Sequence, residues 1–226
     1  MKLDVLHQPD SAIAKITMAP QEELIAEAGA MVAMSSDMNV STTLRKGKGG
    51  GVFGGMKRML AGESLFLSVF RSGNSDAEIY LAPKLLGDIL PYQMKGTELV
   101  VQSTGYMAST PGVEIDLGFT GFKSLFSGES LFWLSASGSG LVLLSAFGSI
   151  YEVDIDGDYV VDTGHIVAFE RTLDYSIAKA NKSWAGAFFG GEGLVCQFRG
   201  TGKVFCQTHN PGAFGQLVGS KLPPRG

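Results

Sequence analysis

The sequence predicts an all-β protein, and three observations carry that prediction. A short marker, G-E-S/G-L-F/V, occurs three times, with its leading glycine at Gly62, Gly128 and Gly191. A second marker, two short apolar segments separated by a polar residue and a glycine, precedes each copy of the first. It occupies residues 20–34, 95–109 and 156–169. Apolar and polar residues also alternate along many segments, as in half-buried strands. One antiparallel β unit used three times, with pseudo-threefold symmetry, is the architecture that these observations indicate.

Composition agrees with a β-rich protein that has a large core. The 226 residues are 45% hydrophobic and only 18% charged, and they include 31 glycines. Because interlocking repeats argue against separate domains, we predict a single domain over 1–226. The predicted repeat units are 12–89, 90–150 and 151–212, followed by a C-terminal tail at 213–226.

Charge and cysteine content limit the classes of function. A net charge of −4 gives no general attraction to nucleic acid, so nucleic-acid binding is not expected. Two cysteines are too few for a disulfide framework. The first residues lack the apolar run of a signal peptide, and an Arg-rich targeting segment is also absent. We therefore expect a cytoplasmic protein.

Individual elements follow from local patterns. Residues 65–70 alternate, as do residues 152–156. Residues 130–151 carry no charge and are long enough to span a bilayer, but the Ser/Gly cluster at 137–140 predicts a buried hairpin instead. Asp156-Gly157 predicts another hairpin turn. The best helical segment is 83–90, and the residues from Asn210 onward are expected to be coil.

The run from Gly49 to Phe66, GGGVFGGMKRMLAGESLF, resembles the signature of a widespread bacterial family whose function is uncharacterised. Eukaryotic relatives are named for altered inheritance of mitochondria. With the threefold repeat, the resemblance covers almost the whole chain. It implies a fold similar to the trp RNA-binding attenuation protein, and it carries over no catalytic residues. The mitochondrial relatives are associated with inner-membrane organisation, but this chain lacks their targeting segment.

The segments before each G-E marker are rich in glycine and in large apolar side chains. The candidate interaction residues there are Phe53, Met56, Phe122, Phe126, Trp184, Phe188 and Phe189. If they are exposed at one end of the molecule, they form a patch suited to a protein partner or a membrane surface. The alternative is a core plug in which glycine permits close packing, and it is favoured because large apolar side chains are usually buried.

The three marker carboxylates, Glu63, Glu129 and Glu192, occupy equivalent positions. Near a threefold axis they would raise one another's pKa and could hold a cation. Local hydrogen bonding to the preceding glycine turn is the favoured alternative.

Other site patterns are weak. Residues 49–54 match G-x-G-x-x-G but lack the βαβ context of a dinucleotide site. The aspartates at 154–158 lack the glycine and glutamate positions of an EF-hand. His7, His165 and His209 have no ligand-spaced neighbours, and Cys196 and Cys206 are expected to face each other across a hairpin as reduced thiols. We predict no metal, no cofactor and no catalytic residues.

These observations favour a non-enzymatic scaffold or adaptor module that forms a homo-oligomer and acts near a membrane or in an assembly. A small-ligand or RNA-binding module of similar fold is the alternative. An enzyme with a diffuse polar site ranks third.

Overall fold

The computed structural model describes residues 1–44, 66–116, 133–179 and 194–223, and these residues are mostly β-strand. The all-β prediction is confirmed. The strands before residue 85 are β1 (Lys2–Leu6), β2 (Ile13–Met18), β3 (Glu23–Glu27), β4 (Met31–Met34), β5 (Asn39–Leu44), β6 (Phe66–Arg71) and β7 (Ala77–Leu81). The next are β8 (Ile89–Lys95), β9 (Leu99–Gln102), β10 (Tyr106–Ser109), β11 (Val113–Asp116) and β12 (Trp133–Ser145). The last are β13 (Ile150–Asp162), β14 (Ile166–Glu170), β15 (Asp174–Lys179), β16 (Leu194–Gln207) and a helix, α1 (Pro211–Gly219).

The same antiparallel pairings occur in each third of the described chain. β6 lies between β3 and β5, and β7 lies between β2 and β4. In the middle third the single strand β12 corresponds to both β6 and β7. It pairs with β9 and β11 in one half and with β8 and β10 in the other. β16 does the same with β13, β14 and β15. A threefold relation between the thirds stays a prediction.

Two further pairings join neighbouring thirds, and we call them the internal junctions. In the first, β10 pairs with β3, with Ala108 opposite Ala26. In the second, β14 pairs with β9, with Ala168 opposite Val101 and Phe169 opposite Val100. Both junctions extend a sheet by antiparallel addition of a strand from the following third.

Residues 133–145 form one strand, so the predicted hairpin over 130–151 is wrong. The Ser/Gly cluster lies where β12 passes from its β9 and β11 partners to its β8 partner. Gly138 has φ +102°, a conformation that L side chains rarely adopt, and a Cβ there would lie 2.4 Å from the Gly112 carbonyl oxygen. Glycine here permits a bend within a strand rather than a reversal of the chain.

The predicted turn at Asp156-Gly157 is wrong for the same reason. Gly157 lies in the middle of β13, directly opposite Gly200 in β16, and both have positive φ. β16 continues as one strand on both sides of Gly200, so Cys196 and Cys206 lie near its opposite ends. Their predicted pairing across a hairpin is also wrong.

The buried side chains of the described residues form three clusters. The central cluster includes Leu99, Tyr106 and Leu144, and the Tyr106 hydroxyl lies 2.9 Å from that of Ser109. A second cluster packs between β2, β7 and β3, and a third surrounds Phe169. Full burial of one such side chain stabilises the fold by about 1.5–3 kcal/mol.

The helix assignments from sequence are both wrong. Residues 84–86 are bends, Gly87 forms an isolated bridge with Gly148, and β8 begins at Ile89. The chain after Asn210 forms α1 instead of coil. The Asn210 side-chain oxygen accepts hydrogen bonds from the backbone N–H of Gly212 (2.9 Å) and Ala213 (3.1 Å), and Pro211 occupies the first turn. An Asn cap followed by Pro is a helix-start signal that the sequence does carry.

Candidate interaction surfaces

The residues proposed as sites from sequence lie outside the described ranges. They are Phe53, Met56, Phe122, Phe126, Trp184, Phe188 and Phe189, together with Glu63, Glu129 and Glu192. Exposure of the apolar loops and the axial position of the carboxylates stay predictions. The described residues instead present two surfaces that sequence reasoning missed.

The first surface is the outer side of β4, residues Met31–Met34, which we call the β4 edge. β4 pairs with β7 on one side, and no described strand pairs with the other. All four of its residues are exposed, Val32 to 57%. The corresponding strands β10 and β14 pair on both sides, and their residues are buried apart from the last one of β14. The β4 edge is therefore an apolar strand with one uncovered side.

The second surface is the outer side of residues 158–162 of β13, which we call the β13 edge. These residues pair with β16, and within the described chain no strand takes their other side. Tyr159 and Val160 are exposed, Val160 to 40%. The corresponding strand β9 is buried at all four positions because β14 covers it.

A groove of about 470 Å³ runs beside the β13 edge. It is lined by Tyr151, Val153, Tyr159, Val160, Val161, Asp162, His165, Cys206, Gln207 and Thr208. Local hydrogen bonds hold its wall. The Asp162 carboxylate accepts from the Gly164 N–H at 2.7 Å, and His165 Nδ1 donates to the Gln207 carbonyl at 2.8 Å. The Gln207 side chain donates to the Gly164 carbonyl and accepts from the Phe147 N–H. These bonds connect residues 162–165 to Phe147 and to the end of β16.

The thiol that lines the groove, that of Cys206, is held in its unreactive form. Burial raises the pKa of Cys206 to about 11, so the group is a neutral thiol at physiological pH. Partial burial likewise raises the pKa of Tyr151, which faces that thiol. Burial raises the pKa of Cys196 to about 12. Among the residues that the structure describes, no group of three His, Cys, Asp or Glu is placed to hold a metal ion.

Charge is compensated near the β13 edge. Arg199 Nε donates to Asp158 at 2.7 Å, and both side chains are exposed. Lys203 of β16 lies between Glu152 (2.7 Å) and Asp154 (2.9 Å) of the paired strand β13. Exposed pairs of this kind contribute little to stability. They do reduce the negative charge that an approaching strand would meet.

α1 is a third apolar feature. Phe214, Leu217 and Val218 are exposed, and Phe214 contacts Phe147 with ring centroids 5.1 Å apart. In the part of the chain covered by the structure, no helix is both long and apolar enough to cross a membrane.

Comparison with known proteins places this architecture in a family. The model of the family described as "Mitochondrial biogenesis AIM24" matches residues 3–209. The chain therefore belongs to this family, and the resemblance inferred from the sequence is confirmed. The likeness to the trp RNA-binding attenuation protein stays a prediction.

Two similar proteins come from Streptococcus pyogenes. An uncharacterised protein of the serotype M6 strain is 30% identical in an alignment of 202 residues, and the match covers 86% of this chain and 80% of that protein. A crystal structure of a Streptococcus pyogenes protein, solved as a structural genomics target, superposes with a TM-score of 0.78 at 25% identity. The match covers 98% of this chain and 99% of that one. Neither name states an activity, so the function must be argued from the surfaces themselves.

Proposed function

We propose that this chain is a non-enzymatic scaffold or adaptor module that assembles by strand addition at its open edges. The observation that carries the proposal is the contrast between covered and uncovered strands of the same kind. β9 and β10 are buried because a neighbouring strand covers each of them, whereas no described strand covers the outer side of the β13 edge or of the β4 edge. Free backbone groups beside exposed apolar side chains are what strand addition uses for recognition.

Sedimentation velocity over a wide range of protein concentration tests this proposal. The wild-type chain should associate as its concentration rises. A double variant, Val32→Lys and Val160→Lys, should remain monomeric because lysine on an edge strand opposes pairing. Its melting temperature should stay within about 2–4 °C of the wild type, since exposed substitutions cost little.

Leu86→Lys is the matched control, because Leu86 is exposed but lies outside the strands. It should associate like the wild type. Association that survives the double variant, or a wild type that never associates, would refute assembly through the edges.

A small-ligand module is the second candidate, and the groove beside the β13 edge favours it. Its volume of about 470 Å³ lies within the roughly 300–1,000 Å³ typical of ligand sites. RNA is the less favoured ligand. Tyr151 and Tyr159 offer rings for stacking, but the aspartates of β13 and the net charge of −4 oppose phosphate. Single-stranded RNA should bind weakly at physiological salt, and a submicromolar affinity in a gel-shift assay would reverse this ranking.

Membrane proximity is the last part of the proposal. Apolar side chains on α1 support it, and Leu217 is 64% exposed. Leu217→Ser should lower co-flotation with phosphatidylcholine vesicles that contain anionic lipid, while the fold is unchanged. Equal flotation of variant and wild type, or no flotation of either, would remove membrane contact by α1 from the proposed function.

A further inference from the structure

The internal junctions define which residues of the two open edges are equivalent to paired ones. β4, β10 and β14 each contain a bulge at the same place, between Met31 and Ala33, between Tyr106 and Ala108, and between Ile166 and Ala168. An alanine therefore follows the bulge in all three strands. Ala108 and Ala168 are the residues that pair across the two internal junctions, so Ala33 is their counterpart on β4.

The strands that receive these alanines can be aligned in the same way. Val101 of β9 lies two residues before the 3-10 turn Ser103–Gly105, and Ala168 lies opposite it. Val161 of β13 lies two residues before the 3-10 turn Thr163–His165. Val161 is therefore the counterpart of Val101, and Val160 is the counterpart of Val100.

We infer that the β4 edge of one copy of this chain pairs, antiparallel, with the β13 edge of a second copy. In this register Ala33 lies opposite Val161 of the other copy and Met34 lies opposite its Val160. The inference rests on the proposed function and names the partner that the edges take. The contact is head-to-tail and repeats the internal junctions between molecules.

Three properties of the edges fit this pairing. The β4 edge carries no charge, so no buried ion pair is needed. Arg199 already compensates Asp158 on the receiving side. The exposed apolar side chains, Met34 at 37% and Val160 at 40%, have fully buried counterparts in Phe169 and Val100. Because the contact joins two different surfaces, repetition closes a ring or builds a filament.

Crosslinking between single-cysteine variants tests the register. Met34→Cys in one tagged copy and Val160→Cys in another are mixed and oxidised, since side chains directly opposite each other lie about 4.5–5.5 Å apart at Cβ. The buried Cys196 and Cys206 should not react, because burial raises their pKa well above neutral. Mixed dimers should exceed like-with-like dimers several-fold.

Leu86→Cys is the matched control, because Leu86 is exposed and belongs to neither edge. Mixed with Met34→Cys it should give no more dimer than random collision. Dominant Met34–Met34 crosslinks would show a symmetric β4 contact, and equal yields with Leu86→Cys would show no defined register. Either result overturns the inference, while edge-dependent association in sedimentation would still support the scaffold. Absence of that association overturns both.

Discussion

Val100 on β9 and Val160 on β13 occupy corresponding positions in strands of the same kind, yet one is fully buried and the other is 40% exposed. Each pairs on one side with a long strand of its own third, β12 or β16. They differ on the other side, where β14 covers Val100 and no described strand covers Val160. Burial at this position therefore comes from the neighbouring unit. Among the described strands, β4 of the first unit and residues 158–162 of β13 in the last unit have no such neighbour.

Equivalent side chains therefore contribute to different processes, folding at the internal junctions and assembly at the open edges. At the internal junctions their burial contributes to folding, because the neighbouring strand belongs to the same chain. At the open edges the same burial is available only on assembly. Stability of the isolated chain should depend on the first set and hardly on the second.

The largest effect is expected at Phe169. It is fully buried and lies against Phe198, Tyr175 and Trp133, with ring centroids 5.1, 5.0 and 6.1 Å away. Phe169→Ala should lower the free energy of unfolding by about 3–5 kcal/mol. Met34→Ala, at the corresponding position of β4, should cost under about 0.5 kcal/mol. Urea unfolding at low protein concentration measures both, and similar losses would contradict the comparison.

A smaller effect separates two glycines with positive φ. A Cβ on Gly138 would lie 2.4 Å from the Gly112 carbonyl oxygen, whereas one on Gly157 would meet nothing within 4 Å. Gly157→Ala should cost about 1–2 kcal/mol for backbone strain alone, and Gly138→Ala about 3 kcal/mol because a backbone contact must also shift. Thermal unfolding of the two variants gives the ranking. Equal costs would mean that the bend in β12 can relax.

These bends explain much of what the sequence could and could not predict. Alternation and the ordered markers predicted an all-β fold, because both depend on local side-chain burial. The sequence around the glycines at 138 and 157 predicts hairpin turns, because local sequence does not distinguish a bend within a strand from a reversal of the chain. Only the partners of β12 on both sides of Gly138 decide between them.

The open edges were missed for a related reason. Met31–Met34 and the segment around Val160 belong to the second marker and look like its middle copy, which is buried. Sequence similarity between units predicts similar strands but says nothing about which unit has a neighbour. The order of the units along the chain is the signal that points to the edges, because the observed junctions join each unit to the next one. The predicted loop sites and marker carboxylates lie outside the described residues and stay predictions.

The valine pair gives the most closely matched test. Val100→Ala and Val160→Ala remove the same two methyl groups from corresponding positions. Val100→Ala should cost about 2 kcal/mol, from lost burial of about 0.8 kcal/mol per carbon plus the cavity. Val160→Ala should cost under about 0.5 kcal/mol in the monomer. A Val160→Ala cost that grows with protein concentration would sharpen the comparison, because it would place that burial in the assembly.

The smallest effect concerns Glu27, at the end of β3 in the covered first junction. Burial raises the pKa of this carboxyl, and the ion pair with Lys84 offsets the rise only in part. The folded state therefore binds the proton more tightly than the unfolded state does. This group's contribution to stability should rise as pH falls from neutral through its raised folded pKa toward the unfolded value near 4.3.

Glu27→Gln should remove that contribution and leave a flatter dependence of stability on pH over this window. Urea unfolding of variant and wild type at several pH values measures the difference. If acidification lowered the free energy of unfolding of the wild type more than that of Glu27→Gln, the folded state would favour the charged carboxylate. That result would contradict a pKa raised by burial at this junction.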